Sequence, residues 1–148
     1  MELNDQHRPL KNLTHVEFLE EGADQSLRKR DVVEAFIGSD PQRIQYYTEF
    51  EVAPTKEKLD LTLNLPEKDF DWSSRFESAV KLGEGQSVDL RDAYSAEGAH
   101  RRKAEDRSRW RINLYRCDRA NKAFLAWSPT ISGSFHAPEK FGVLEFVE

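Results

Sequence analysis

Leu59, Leu61, Leu63 and Leu65 alternate with Asp60, Thr62 and Asn64. Four leucines at every second position form one face of an extended strand, with polar residues on the other. The same period recurs along the chain. Phe76, Ser78, Val80 and Leu82 alternate with Arg75, Glu77, Ala79 and Lys81, and Tyr46, Thr48, Phe50 and Val52 stand against Tyr47, Glu49, Glu51 and Ala53. Near the end Leu144 and Phe146 oppose Val143, Glu145 and Val147. Asp31 to Ile37 and Trp110 to Cys117 read as strands with both faces partly covered. Turn residues separate these runs, at Gly38-Ser39-Asp40-Pro41, Ala53-Pro54-Thr55, Pro66, Gly83-Glu84-Gly85 and Ser128-Pro129. Short strands punctuated in this way point to an antiparallel sandwich or barrel. Helical signal is confined to the charged stretch from Ala96 to Ser108, a short surface helix or a loop. The segments from Phe18 to Asp31 and from Gly83 to Ser108 offer little to a core.

A chain of 148 residues fits one domain. Charged residues make up 33%, but nine Phe, four Tyr and three Trp supply a core and argue against disorder. Residues 1–13 are polar and read as a flexible N-terminal arm, leaving residues 14–148 as the single domain. The net charge of −5 argues against a nucleic-acid partner. The local basic run His100, Arg101, Arg102 and Lys103 is bracketed by Glu97, Glu105 and Asp106, as in a solvated loop. The first 30 residues hold no apolar run of signal-peptide length, and no later run approaches a membrane span, so no membrane partner and a cytoplasmic location are expected. The single cysteine, Cys117, excludes an internal disulfide and a cysteine-built zinc site, and its apolar setting suggests a buried, inert thiol.

Catalytic constellations are missing. His7, His15, His100 and His136 stand near no serine elbow and no cysteine partner. No glycine-rich loop leads from a strand into a helix. A b-type haem requires axial ligands such as methionine, and the one methionine is Met1. No catalytic residue and no certain cofactor is therefore expected. What remains suits sugar recognition, which uses flat aromatic faces together with carboxylates, amides and guanidinium groups. Alternation places Glu34 on one strand face with Val32 and Phe36. A carboxylate so placed needs an arginine, a hydroxyl or a metal, unless the strand is an edge and it reaches solvent. Trp127, just before Ser128-Pro129, is either a core residue or the lining of a binding surface. Trp72 shares that ambiguity, and Trp110 opens an apolar strand as a core residue.

Three segments resemble bacterial carbohydrate-binding proteins of the family-nine type. They are Arg30-Asp31-Val32-Val33-Glu34-Ala35-Phe36, Tyr46-Tyr47-Thr48-Glu49-Phe50-Glu51-Val52-Ala53-Pro54, and a tail. The tail holds Trp110-Arg111-Ile112-Asn113-Leu114-Tyr115-Arg116, Ala126-Trp127-Ser128-Pro129-Thr130 and Phe135-His136-Ala137-Pro138-Glu139-Lys140-Phe141-Gly142-Val143-Leu144-Glu145-Phe146. The resemblance runs from about Thr14 onward. It implies an all-β, antiparallel two-sheet β-sandwich, jelly-roll-like and with long loops, that binds a sugar or an oligosaccharide end without catalysis. Glu34 matches the acidic position of the first motif and would accept hydroxyl hydrogen bonds. Trp127 would stack on the sugar, and Phe135 and His136 fall in the loop that supplies recognition groups. Asn113 and Arg116 match polar positions of the tail. The resemblance also implies structural calcium, export in many members, and an enzyme domain attached in some. Homo-oligomerisation through a sheet edge stays open. One departure stands out: where the family carries a clamp tryptophan before the first motif, this chain has Leu27-Arg28-Lys29-Arg30. That loss favours an alternative, a protein–protein interaction or structural sandwich that no longer binds sugar.

Overall fold

The computed structural model describes residues 27, 30–81, 87–90, 107–119 and 121–147. The chain is an all-β antiparallel sandwich. Its strands are β1 (Val32–Gly38), β2 (Tyr46–Val52), β3 (Lys58–Asn64), β4 (Glu67–Asp69), β5 (Ser78–Lys81), β6 (Ser87–Leu90), β7 (Arg109–Asp118), β8 (Ala123–Ala126) and β9 (Gly142–Glu145). Seven form one sheet in the order β4-β3-β2-β1-β7-β8, with β9 also paired to β7. β8 runs beside Tyr115 to Asp118 and β9 beside Arg109 to Ile112, so the two share one edge of the long strand β7. β5 and β6 pair as a second sheet.

Register fixes what each face carries. Glu34 pairs with Glu51 on one side and Tyr115 on the other, and Phe36 with Glu49 and Asn113. Glu49 and Glu51 in turn pair with Leu61 and Leu59. Because side chains alternate across a sheet, Val32, Glu34, Phe36, Tyr47, Glu49, Glu51, the β3 leucines, Asn113, Tyr115 and Cys117 share the first face. The larger core gathers there, around Val32, Phe36, Tyr47, Leu59, Leu61, Leu63, Tyr115, Cys117 and Phe141. The second face carries Ala35, Phe50 and Val52, covered by Phe76 and by Val80 of β5. β1 and β2 are thus buried on both sides, which is how a central strand tolerates so little exposed polarity.

The strands expected at Asp31–Ile37, Tyr46–Ala53, Leu59–Leu65 and Trp110–Cys117 form within a residue or two. The run from Phe76 yields a strand only from Ser78. Asp60 explains the delay: its carboxylate takes hydrogen bonds from Ser73 and Ser74, whose own hydroxyls accept from the Arg75 and Phe76 amides. Arg75 adopts φ 58°, a left-handed turn that cannot continue a strand. The stretch expected to be helical from Ala96 falls outside the described residues up to residue 106; Arg107 and Ser108 are turn and coil. Residues 1–13, expected as an arm, also lie outside them. No helix among the described residues is long and apolar enough to cross a membrane.

Candidate binding site

A cavity of about 540 Å³ opens on the first face of the large sheet. Glu34 and Phe36 from β1 and Glu49 and Glu51 from β2 form its floor. Arg119 and Phe124 form one wall, and the segment Ser132–His136 the rim. The rim is held down by aromatic contacts. Phe135 stacks on Tyr115 with centroids 4.1 Å apart, and the Tyr115 hydroxyl donates to the Phe135 carbonyl at 2.8 Å. The His136 ring stacks on Phe36 at 5.3 Å. Arg119 lies over Phe124, which meets Phe135 edge-on.

Three carboxylates under such a roof are costly unless partnered. Glu34 is 8% exposed, and Glu49 and Glu51 are each 2% exposed. The Cys117 thiol points its hydrogen at Glu34 Oε1 over 3.4 Å. Burial pushes the Glu49 carboxyl up to about 9, reinforced by a hydrogen bond to Glu51 and by the charges of Glu51 and Glu34. Glu49 therefore keeps its proton at neutral pH. Burial and the Glu34 charge likewise raise the Cys117 thiol to about 12, which keeps it protonated and unreactive. Burial also raises the Tyr47 and Tyr115 phenols. Even so, Oε2 of Glu49 and Oε2 of Glu51 are buried with no hydrogen-bond partner among the described residues.

The protonation of His136 follows from its neighbours. Lys68 Nζ lies 2.7 Å from Nε2, and Tyr47 Oη lies 2.8 Å from Nδ1. An ammonium only donates, so Nε2 accepts and the ring proton sits on Nδ1, directed at the tyrosine oxygen. The 3.9 Å approach of Nε2 to Glu49 Oε2 is then neither an ion pair nor a hydrogen bond. The positive charge beside Glu49 is that of Lys68, and it opposes the rise in the Glu49 carboxyl.

The six residues singled out from sequence divide in two. Glu34, Phe135 and His136 line the cavity together. Asn113, Arg116 and Trp127 do not. Asn113 is fully buried, and its amide donates to Tyr115 Oη and the Ser128 carbonyl while its oxygen accepts from the Leu114 and Ser128 amides. It fastens the β8–β9 connection to β7. Arg116 pairs with Val33 and so lies on the second face, where it bridges to Asp118 at 3.2 Å. The Trp127 ring packs on Gly142, where an added Cβ would come within 2.2 Å of it. Gly142 pairs with Ile112 and Ile112 with Ile37, which puts the indole on the face opposite the cavity. Glu49 and Glu51 were missed, although the register signal was present: they alternate with Phe50 as Glu34 alternates with Val33 and Ala35.

No family model matches the chain, and no curated protein matches it. Among solved structures, the chain is similar to a Bacteroides uniformis protein provisionally described as carbohydrate-binding. The two are 24% identical with a TM-score of 0.58, and the match covers 78% of this chain and 60% of that one. The chain therefore spans less than two thirds of that protein, and what the pair demonstrably share is the fold.

Proposed function

We propose that the domain binds carbohydrate, without catalysis, in the cavity between the first face and the Ser132–His136 rim. The observation that carries this reading is the pair of buried acceptor oxygens on Glu49 and Glu51 that no group among the described residues satisfies. They sit on the floor of a cavity walled by phenyl rings. A sugar presents hydroxyl donors along one edge and C–H groups on its faces, which answers both demands. Phe135 and Phe124 offer ring faces at the mouth, taking the role that sequence gave to Trp127. The resemblance to family-nine carbohydrate-binding proteins and the provisional description of the Bacteroides neighbour support the same reading. A single sugar unit, or the end of a chain, suits a cavity of about 540 Å³ closed beneath by a sheet.

Affinity electrophoresis through gels containing cellulose or xylan derivatives tests this proposal. Retardation of the wild type that is lost in Phe135→Ala and kept in Trp127→Ala is the expected pattern. Equal migration of all three proteins in every gel would overturn it.

One observation favours a second reading, an interaction module. Leu114, Leu125, Trp127 and Leu144 are exposed on the second face near the β8–β9 edge. Such a patch suits a protein surface better than a sugar. Concentration-dependent self-association or partner capture that Leu125→Glu abolishes, with no sugar binding, would move the assignment there.

A further inference from the structure

His136 ties the rim of the cavity to three strands of the sheet. Its ring stacks on Phe36 of β1 with centroids 5.3 Å apart, Nδ1 meets Tyr47 Oη of β2 at 2.8 Å, and Nε2 meets Lys68 Nζ of β4 at 2.7 Å. Lys68 pairs with Leu63 and so stands on the first face, while its neighbours Glu67 and Asp69 pair with Asn64 and Thr62 and point to the second. The edge strand β4 thus sends one side chain to the first face, and that side chain serves the rim. The Ser132 and Ser134 hydroxyls bond within the rim itself. Among the described residues, the rim meets the sheet through Phe135 on Tyr115 and through His136.

We propose that Lys68 is a positioning residue of the site, which fixes His136 as the neutral Nδ1–H tautomer and so holds the rim over the cavity, and that a second ring proton releases this hold. An ammonium has three N–H donors and no acceptor, so it faces Nε2 only while that nitrogen keeps its lone pair. A proton on Nε2 sets donor against donor and cation against cation at 2.7 Å, and the pair must part. Histidine ordinarily gains its second proton in mild acid. The other groups around the ring do not replace the lost contact. Glu49 and Tyr47 from β2, and Tyr115 and Cys117 from β7, are raised by burial and keep their protons in mild acid. Arg111 is tied to the Pro138 and Phe141 carbonyls, Glu139 acts on Tyr47, and Arg119 stands in the cavity wall. Glu34 and Glu51 on the floor attract a cationic ring, whereas Lys68 in direct contact repels one. Once Nε2 is released, part of the population leaves the rim unlatched, and affinity falls by the fraction that remains competent. That effect on affinity rests on the carbohydrate reading; the hold of Lys68 on His136 does not.

Long-range proton–nitrogen NMR of the imidazoles in the whole, nitrogen-15-labelled chain tests the hold without any sugar, with His136→Gln identifying the signal. At pH 7.5 the wild type should carry its ring proton on Nδ1 and none on Nε2. Lys68→Met keeps the aliphatic stem and should give mixed tautomers, and Lys68→Arg, which still presents N–H donors, should restore the single one. A lysine that only supports the edge strand would leave the tautomer unmoved. NOEs from the ring to the Lys68 methylenes, present at pH 7.5, should vanish as acid adds the second proton. A wild-type ring protonated on Nε2 at pH 7.5, an unchanged tautomer in Lys68→Met, or NOEs that persist in the imidazolium state would each overturn the proposal. Should Lys68→Met fail to fold, the wild-type tautomer and its acid series still decide the matter. Calorimetry with glucose, xylose and cellobiose reads the consequence: wild-type binding about tenfold weaker at pH 5.5 than at 7.5, and independent of pH in His136→Gln. Equal wild-type affinity at the two pH values would overturn the release, whereas absence of sugar binding at both would count against the proposed function and leave the NMR result standing.

Discussion

Replacing Glu49 by glutamine should change how stability depends on pH, and the size of the change follows from the carboxyl's surroundings. In the unfolded chain this group has an ordinary value of 4.5; in the folded protein burial, the Glu51 hydrogen bond and the Glu51 and Glu34 charges carry it to about 9. Tyr47 and Lys68 on the sheet, Tyr115 and Cys117 on β7, and His136 and Arg119 at the rim and wall complete the titratable surroundings. Between the two values the native state holds a proton that the unfolded state has released, so stability falls as pH rises. The contribution is fully present below 4.5 and is lost progressively up to about 9. The limiting slope is about 1.4 kcal/mol per pH unit, or about 4 kcal/mol between pH 5 and 8. Partial hydration of the cavity reduces it, and a loss of about 2–4 kcal/mol is expected. Glu49→Gln has nothing to ionise at that position. Urea unfolding of both proteins in EDTA at pH 5, 6, 7 and 8 gives the difference directly. The wild type should lose stability relative to the variant by that amount across the range. Parallel curves would refute the reasoning and show that Glu49 is ionised in the folded protein throughout.

Other consequences follow. Gly142→Ala forces a methyl group into the Trp127 ring. It should cost about 1–3 kcal/mol in urea unfolding and shift the indole emission, with sugar binding unaffected. Asn113→Ala leaves the Ser128 amide and carbonyl without their partner and should cost about 1–3 kcal/mol, read as a lower urea midpoint. Cys117 should resist iodoacetamide at pH 8 in the native protein, because its thiol is raised to about 12, and react within minutes once urea unfolds the chain. Phe135→Ala should weaken sugar affinity about tenfold, equivalent to about 1.4 kcal/mol, because it removes the ring that stacks on Tyr115 at the cavity mouth.

The architecture was legible because period-two alternation is a local signal that tertiary packing seldom overrides. The β3 leucines show this: Leu59, Leu61 and Leu63 are buried and Lys58 and Asn64 exposed. β8 was not legible, since Phe124 and Leu125 are adjacent and both exposed, so its four residues show no inside and outside. β4 is three polar residues that owe their pairing to β3 alone. The site was half legible for the same kind of reason. Glu34 drew notice because it interrupts an apolar face. Glu49 and Glu51 looked like the solvated side of an amphipathic strand, and only the pairing of β2 with β1 and the covering rim bury them. Trp127 shows the reverse: its place at a strand end left a core seat and a binding surface both open, and the absence of a side chain at Gly142, fifteen residues on, gives the indole a seat on the other face.

Calorimetric titration of the wild type, Phe135→Ala and Trp127→Ala with glucose, xylose and cellobiose tests the central claim most directly. Saturable heat with at least one sugar, weakened by Phe135→Ala and unchanged by Trp127→Ala, is the result the cavity predicts. Loss of binding in Trp127→Ala with Phe135→Ala unaffected would place the sugar on the opposite face, and no heat from any folded protein would contradict carbohydrate binding itself.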